Sequence, residues 1–315
     1  MLEHLDFLFS INVAAREGLG EDSWCYAFSQ GSGMIAALDG CGGSGARKHE
    51  YYTGHSEAYV ASRLGAGALY DAFNKVLDER GTAAEPEEIL ERFSRYCRDS
   101  FAAYRPPAAQ KSKIRTSMVT TLPTTLAAAF LREQKGRVEV TEAWAGDSRV
   151  YALTPEGLAQ LTMDDSDPPD PFVTDGTMTN TLRADREPRI HRSSQAIALP
   201  AILFAATDGC FAYFTTPMEF EGALEQALLA SASAAEWEQR LRDQFYKVAG
   251  DDFTMVTAVM GFGSFSGLKQ SFASRFQFLR ERFLRPIAAL SPDDIAGRRR
   301  LWDDYRENYM RYIKD

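Results

Sequence analysis

Two apolar runs in this chain stop abruptly at the same dipeptide. Met34–Leu38 runs into Asp39-Gly40, and Ala201–Thr207 runs into Asp208-Gly209. A third apolar stretch opens at Phe253 and is preceded by Asp251-Asp252. Short apolar runs bounded by turn residues read as buried strands, so each of these strands carries a carboxylate at its end. If the strands are neighbours in a sheet, the carboxylates converge, and like charges brought together repel unless something neutralises them. Hard divalent cations do so through oxygen ligands. Histidine is absent from all three stretches, which weighs against zinc. A single Asp-Gly signals only a turn; three strand-end carboxylates form a pattern.

The bulk properties narrow the field. The chain has 315 residues, of which 45% are hydrophobic and 25% charged, enough for a sizeable core. A formal net charge of −9 argues against broad electrostatic binding of nucleic acid. It also means that a phosphate-bearing substrate needs local positive charge, from metal or arginine. Cys25, Cys41, Cys97 and Cys210 form no CxxC pair and no zinc spacing, and read as reduced thiols of a cytosolic protein. The opening MLEHLDFLF carries acids and no long apolar run, unlike a secretory signal. No stretch approaches the ~18 apolar residues of a membrane span. The expected location is the cytoplasm, away from membranes.

Further strands are expected at Phe7–Ala14, Trp24–Phe28, Thr125–Leu131, Arg137–Ala145, Arg149–Leu153 and Phe253–Phe262. Helices are expected over Ser56–Lys75, Glu87–Tyr104 (with Pro86 at its start) and Pro217–Val248. Met163–Arg192 is polar and reads as a long loop or flap. The remainder, 263–315, changes character. Phe272, Phe276, Leu279 and Phe283 share one helical face, and Ser291-Pro292-Asp293-Asp294 reads as a helix start with Ser291 as its cap and Pro292 in the first turn. This mildly basic tail reads as a two-helix extension. It either packs on the domain as an extra layer or docks a partner kinase or a second copy.

Short motifs surround the aspartates in a definite order. They are Glu21-Asp22-Ser23, Ala37-Leu38-Asp39-Gly40-Cys41-Gly42-Gly43, Gly54-His55-Ser56-Glu57 with Ala61-Ser62, and Thr124-Thr125-Leu126. Gly146-Asp147-Ser148-Arg149-Val150-Tyr151 with Leu161-Thr162, Thr207-Asp208-Gly209 and Asp251-Asp252-Phe253-Thr254 complete the series. In these motifs the chain resembles the metal-dependent protein serine/threonine phosphatases, the PPM or type 2C family, over roughly residues 7–262. The resemblance implies an α+β fold: a central β-sandwich of two antiparallel sheets with helices on both outer faces, here with a helical C-terminal extension. It divides the chain into a catalytic domain, 1–262, and the extension, 263–315.

The resemblance also implies roles. Asp39 takes the position of the carboxylate bridging two Mn2+ or Mg2+ ions, and the Gly40 carbonyl that of a ligand to the second ion. Asp208 and Asp251 correspond to the remaining ligands of the first ion. Asp22 and Asp147 correspond to acids supporting a third, weaker metal site in bacterial members. Arg16 corresponds to the arginine that grips the substrate phosphate. The implied reaction is removal of phosphate from phosphoserine or phosphothreonine by a hydroxide bridging the two metals. The implied partners are phosphoproteins, such as a cognate Ser/Thr kinase or its targets. Cys41 stands where eukaryotic members have His and many bacterial members Met, which points to a bacterial-type enzyme. Arg16 lies one residue further from Glu21-Asp22 than in the family pattern, and Met163-Asp164-Asp165-Ser166 replaces its Asp-His-Ser. Asp252 is the alternative to Asp251 as a ligand. His55 reads as a surface or capping residue, His191 as solvated and Trp144 as core. The alternative to an enzyme is a pseudophosphatase that keeps the fold as a regulatory binding module.

Overall fold

Burial on both faces explains why several strands read as continuous apolar runs. The computed structural model describes residues 2–29, 31–48, 50–104, 121–167, 177–291 and 293–313. Three strands open the chain: β1 (Leu5–Val13), β2 (Ser23–Ser29) and β3 (Ser32–Leu38). A one-turn helix α1 (Gly42–Gly45) and the long helices α2 (Glu57–Arg80) and α3 (Pro86–Ala103) follow. Next come β4 (Leu126–Gln134), β5 (Arg137–Ala145), β6 (Arg149–Thr154), β7 (Gly157–Gln160), the two-residue pair β8 (Ser166–Asp167) and β9 (Thr177–Met178), β10 (His191–Ala198) and β11 (Ala201–Ala206). The chain continues through α4 (Pro217–Ala230), α5 (Ala234–Val248), β12 (Phe253–Met260), α6 (Phe265–Leu279), α7 (Arg285–Ala289) and α8 (Ile295–Tyr309).

The strands form two antiparallel five-stranded sheets, ordered β1-β12-β11-β6-β7 and β10-β5-β4-β3-β2. Ile35, Ala37, Val140, Leu203 and Val256 lie in a core between the sheets. The opposite faces are covered by helices. Ala36 and Ala128 pack with Phe73 and Phe93 of α2 and α3 on one side. Phe204 and Met255 pack with Phe220, Trp237 and Phe272 of α4, α5 and α6 on the other. The result is the α-β-β-α sandwich that the resemblance implied, with β3, β11 and β12 central and wholly or almost wholly buried. The four cysteines are free thiols.

Four expectations need correction. The stretch Pro217–Val248 is two helices, because Ser233 caps α5 from the Glu236 amide at 3.2 Å while Glu236 accepts from Ala232 N at 2.8 Å. The Ser233 cap, with Glu236 reaching back to the amide one residue before it, starts a new helix. Met163–Arg192 is not all loop: it holds β8 and β9 and the start of β10, while its residues 168–176 lie outside the described residues. β10 itself was not expected; it is an edge strand with exposed residues in alternation. The last helix is capped not by Ser291 but by Asp294, whose Oδ1 accepts from Gly297 N at 2.7 Å; Pro292 lies outside the described residues.

One buried acid has no counterpart in the sequence reading. Glu142 on β5 is fully buried, and neither carboxylate oxygen has a hydrogen-bond partner among the described residues. Burial pushes its carboxyl up to about 9. It is therefore neutral in the fold at pH 7 and ionised in the unfolded chain. A raised carboxyl contributes its full stability below the unfolded value and loses it as pH rises toward the folded one. We expect Glu142→Gln to raise stability by less than about 1 kcal/mol at pH 5 but by about 4–5 kcal/mol at pH 8. Each pH step above the ordinary carboxylate range costs the parent about 1.4 kcal/mol, a cost the amide does not bear. Urea titrations of both proteins across that range check this; a gain that does not grow with pH would place water beside the carboxyl.

Candidate metal centre

The strand ends meet as the sequence pattern requires. β3 runs out at Asp39, whose amide donates to Thr125 Oγ1 at 2.8 Å and whose carbonyl accepts from Thr125 N at 2.8 Å and Thr124 Oγ1 at 2.7 Å. Thr125 Oγ1 also lies 2.6 Å from Ser148 Oγ, tethering Asp39 to the turn that carries Asp147 between β5 and β6. On the second sheet β11 ends just before Thr207-Asp208, and β12 begins just after Asp251-Asp252. Thr207 stitches these together: its amide donates to Thr254 O at 2.9 Å, and its hydroxyl donates to Asp22 Oδ2 at 2.8 Å.

The Asp-Gly dipeptides owe their glycines to close approach rather than to a turn conformation. A Cβ on Gly40 would lie 2.6 Å from the carbonyl oxygens of Glu21 and Ala58, and one on Gly209 only 1.9 Å from that of Asp252. Backbone from separate motifs is thereby drawn in around the aspartates.

Four carboxylates share this edge. Burial raises Asp39 well above the ordinary range, and the charges of Asp208, Asp22 and Asp147 raise it further. Asp22 is pushed to about 7 by burial, with Asp208 adding to it. Asp147 is also pushed to about 7, by burial, then Asp208 and Asp164. Asp208 is pushed to about 6 by burial and then Asp251. Asp39 is partly exposed, but its open side faces a cavity of about 740 Å³. Asp147 Oδ1 is buried without a hydrogen-bond partner among the described residues.

The two acids before β12 differ. Asp252 is occupied by protein, accepting from Ala15 N at 2.7 Å and Glu21 N at 2.6 Å. Asp251 is exposed, accepts from the Asp252 amide at 2.8 Å, and lines the cavity. Arg16 is exposed on the loop after β1. It lines an adjoining cavity of about 330 Å³ with Lys48, His55, Tyr59 and Asp251, rather than the one over Asp39.

Among the described residues, no three His, Cys, Asp or Glu side chains already close around a point as a preformed metal cage. The donors nevertheless suit a hard divalent ion: they are oxygens, crowded and buried, and one is orphaned.

The sequence reading missed several residues around the centre. Arg63 on α2 donates to Gly20 O at 3.0 Å and Glu21 O at 3.3 Å, and its guanidinium lies 3.4 Å from the centroid of the Tyr59 ring. Arg183 and Arg186 line the Asp39 cavity, held by Asp185 and Asn180. They fell in the stretch read as a polar loop, and nothing in their spacing marked them. His191 is not simply solvated: its ring stacks on Trp144, and Nε2 lies 2.9 Å from Asp165 Oδ1. His55 stacks on Tyr59 with ring centroids 3.8 Å apart.

No protein-family model matches the sequence, and no curated protein sequence matches it. Solved structures do match. The serine/threonine phosphatase Stp1 of Staphylococcus aureus aligns with a TM-score of 0.57 at 17% identity, over 83% of this chain and 97% of that one. The PPM Ser-Thr phosphatase MsPP of Mycobacterium smegmatis aligns with a TM-score of 0.51 at 15% identity, over 82% and 100%. The chain has the PPM-phosphatase fold. A Caenorhabditis elegans sex-determining protein also aligns, with a TM-score of 0.61 at 14% identity over 86% of this chain and 68% of that one. Identities this low establish the PPM architecture, while activity has to be argued from the site.

Proposed function

We propose that the chain is a metal-dependent phosphomonoester hydrolase that removes phosphate from phosphoserine and phosphothreonine in proteins. One observation carries the reading: Asp22, Asp39, Asp147 and Asp208 are forced together at one edge of both sheets, where burial and mutual repulsion oppose their ionisation. Without a cation such an arrangement only destabilises a fold. In this reading 1–262 is the catalytic unit and 263–315 its extension.

Asp39, whose ionisation the other three acids oppose, would hold Mn2+ or Mg2+ together with the Gly40 carbonyl, Asp208 and Asp251, and Asp22 and Asp147 would support a further ion. When bound, such ions acidify water and neutralise phosphoryl charge. The chain's own contribution is placement. Thr125 and Thr207 fix the strand ends, and Asp252 fixes the loop leading to Glu21. Arg16, with no carboxylate partner among the described residues, supplies the bidentate grip on a phosphate. Phosphoproteins, among them a Ser/Thr kinase or its targets, are the partners this chemistry implies. No helix of the described residues is long and apolar enough to cross a membrane, and we place the enzyme in the cytoplasm, in a bacterial-type signalling role.

Hydrolysis of p-nitrophenyl phosphate with and without Mn2+ or Mg2+ tests the reading; no turnover at millimolar metal would sink it. We expect Arg16→Ala to lower kcat/KM about tenfold or more, the worth of a charge-assisted contact of roughly 1.5–3 kcal/mol. An unchanged value would return Arg16 to the surface. The competing reading, a pseudophosphatase binding module, draws on the lack of a preformed cage among the described residues. It predicts Mn2+-independent binding of a partner and no turnover.

A further inference from the structure

The C-terminal helix reaches the acidic edge from behind. Tyr309, at the end of α8, is fully buried, and its hydroxyl donates to Gln160 Oε1 at 2.9 Å. The same hydroxyl lies 3.3 Å from that of Tyr151 and accepts from Arg149 Nη1 at 3.5 Å. Gln160 and Arg149 in turn converge on one carboxylate. Arg149 donates to Asp164 through Nε at 2.9 Å and Nη2 at 2.6 Å, while Gln160 Nε2 reaches Asp164 Oδ1 at 3.3 Å and Thr162 O at 2.6 Å. The next residue, Asp165, is bound to the turn before Asp147 in both directions. Its amide donates to Gly146 O at 2.9 Å, and its Oδ2 accepts from Gly146 N at 3.0 Å. Tyr309 thus stands three hydrogen bonds and one peptide link from the turn that positions Asp147, through Gln160 or Arg149 to Asp164 and then from Asp165 to Gly146.

Packing alone accounts for the ring but not for the hydroxyl. The ring sits 5.4 Å from Trp302 and 5.7 Å from Tyr305, centroid to centroid, inside the large core cluster, and a phenylalanine would fill that space. A buried hydroxyl is costly unless its bonds are made, and here they are made to the two side chains that hold Asp164. Arg149 is further fixed from its other side by the Phe211 ring, 4.2 Å away.

We propose that Tyr309 is a positioning residue for the Asp147 side of the metal centre, so that the C-terminal extension is a working part of the site and not only a cover for the sheet. The consequence for metal rests on the function proposed above; the positioning itself rests on the hydrogen bonds alone. Partners that orient ligands from behind typically alter metal affinity by about 10–100-fold.

The test is Tyr309→Phe in the full-length chain, with Gln160→Met cutting the same relay from its other end. Hydrogen exchange of the metal-free protein, Mn2+ calorimetry and thermal melting are compared with the parent. We expect the peptide spanning residues 159–166 to exchange about five- to tenfold faster, the equivalent of one net hydrogen bond. Mn2+ binding at one site should weaken about tenfold, with kcat at saturating metal within about twofold of the parent. If both variants keep the parent's exchange in that peptide and its Mn2+ affinity, whatever happens to their melting, Tyr309 is a packing residue and the proposal falls. If the exchange responds but the parent binds no Mn2+, the positioning stands and the metal-centre reading fails.

Discussion

Asp39→Asn is expected to leave a folded protein whose Mn2+-dependent hydrolysis of p-nitrophenyl phosphate is lower by roughly a hundred- to a thousandfold. The substitution is nearly isosteric. The bonds that hold the residue in place use its backbone, through Thr124 and Thr125, and survive the change. What is lost is the one carboxylate whose ionisation is opposed by Asp208, Asp22 and Asp147 together. The same electrostatics give a second, opposite effect. Without metal the variant should melt no lower than the parent, because one member of a repelling buried set is gone. Mn2+ at a hundred times its Kd should stabilise the parent by about 2.7 kcal/mol and the variant far less. Parent-like turnover in the variant would remove Asp39 from the chemistry; a collapsed melting temperature would show that the residue is structural.

The largest loss of stability is expected at the joint between the extension and the sandwich. Arg275 on α6 donates to Glu221 on α4 at 2.7 and 3.0 Å, and Tyr305 on α8 donates to the same carboxylate. Glu221 is wholly buried and the Arg275 side chain only 9% exposed. Glu225 lies alongside, its carboxyl pushed up to about 10 by burial and then by Glu221's charge. Arg275→Ala leaves Glu221 buried without its cation and should cost about 3–5 kcal/mol, roughly 5–8 °C in melting temperature for a chain of this size. Replacing the pair together, as Glu221→Leu with Arg275→Leu, should recover most of that loss, since an apolar pair carries no desolvation penalty. A single-variant loss below about 1 kcal/mol would mean that solvent reaches the pair, as for surface ion pairs.

The site was more legible in the sequence than its surroundings. Asp39 and Asp208 announce themselves because an apolar strand stopped by a carboxylate is a local signal, and the strands around them are buried on both faces. Asp22 carries no such signal; it follows a turn, and only the order of motifs around it drew it in. β10 escaped notice because half of its residues face solvent, so it opens inside a polar stretch, and its partner β5 lies far away in sequence. Glu142 on that partner strand gave no sign either, because period-two alternation does not say which face will be closed off from water. Tyr309 was visible only as one aromatic in an amphipathic helix. Its hydroxyl meets Gln160 some 150 residues away, and no local pattern encodes a contact of that span.

The pairing of β1 with β12 bears on how the chain acquires its structure. Leu5 lies opposite Met260 and Val13 opposite Phe253, so the first strand has no partner in its own sheet until nearly the whole of residues 1–262 is present. On a ribosome adding about 5–20 residues per second, that strand waits for at least several seconds with an apolar edge open. Topologies closed by such distant pairings fold slowly and expose aggregation-prone edges meanwhile. The helices α2 and α3 can pair with each other early, but the sheet carrying Asp208 and Asp251 is zipped last. Nascent chains stalled before residue 253 should therefore be protease-sensitive throughout that sheet, and metal affinity should appear only once β12 has emerged.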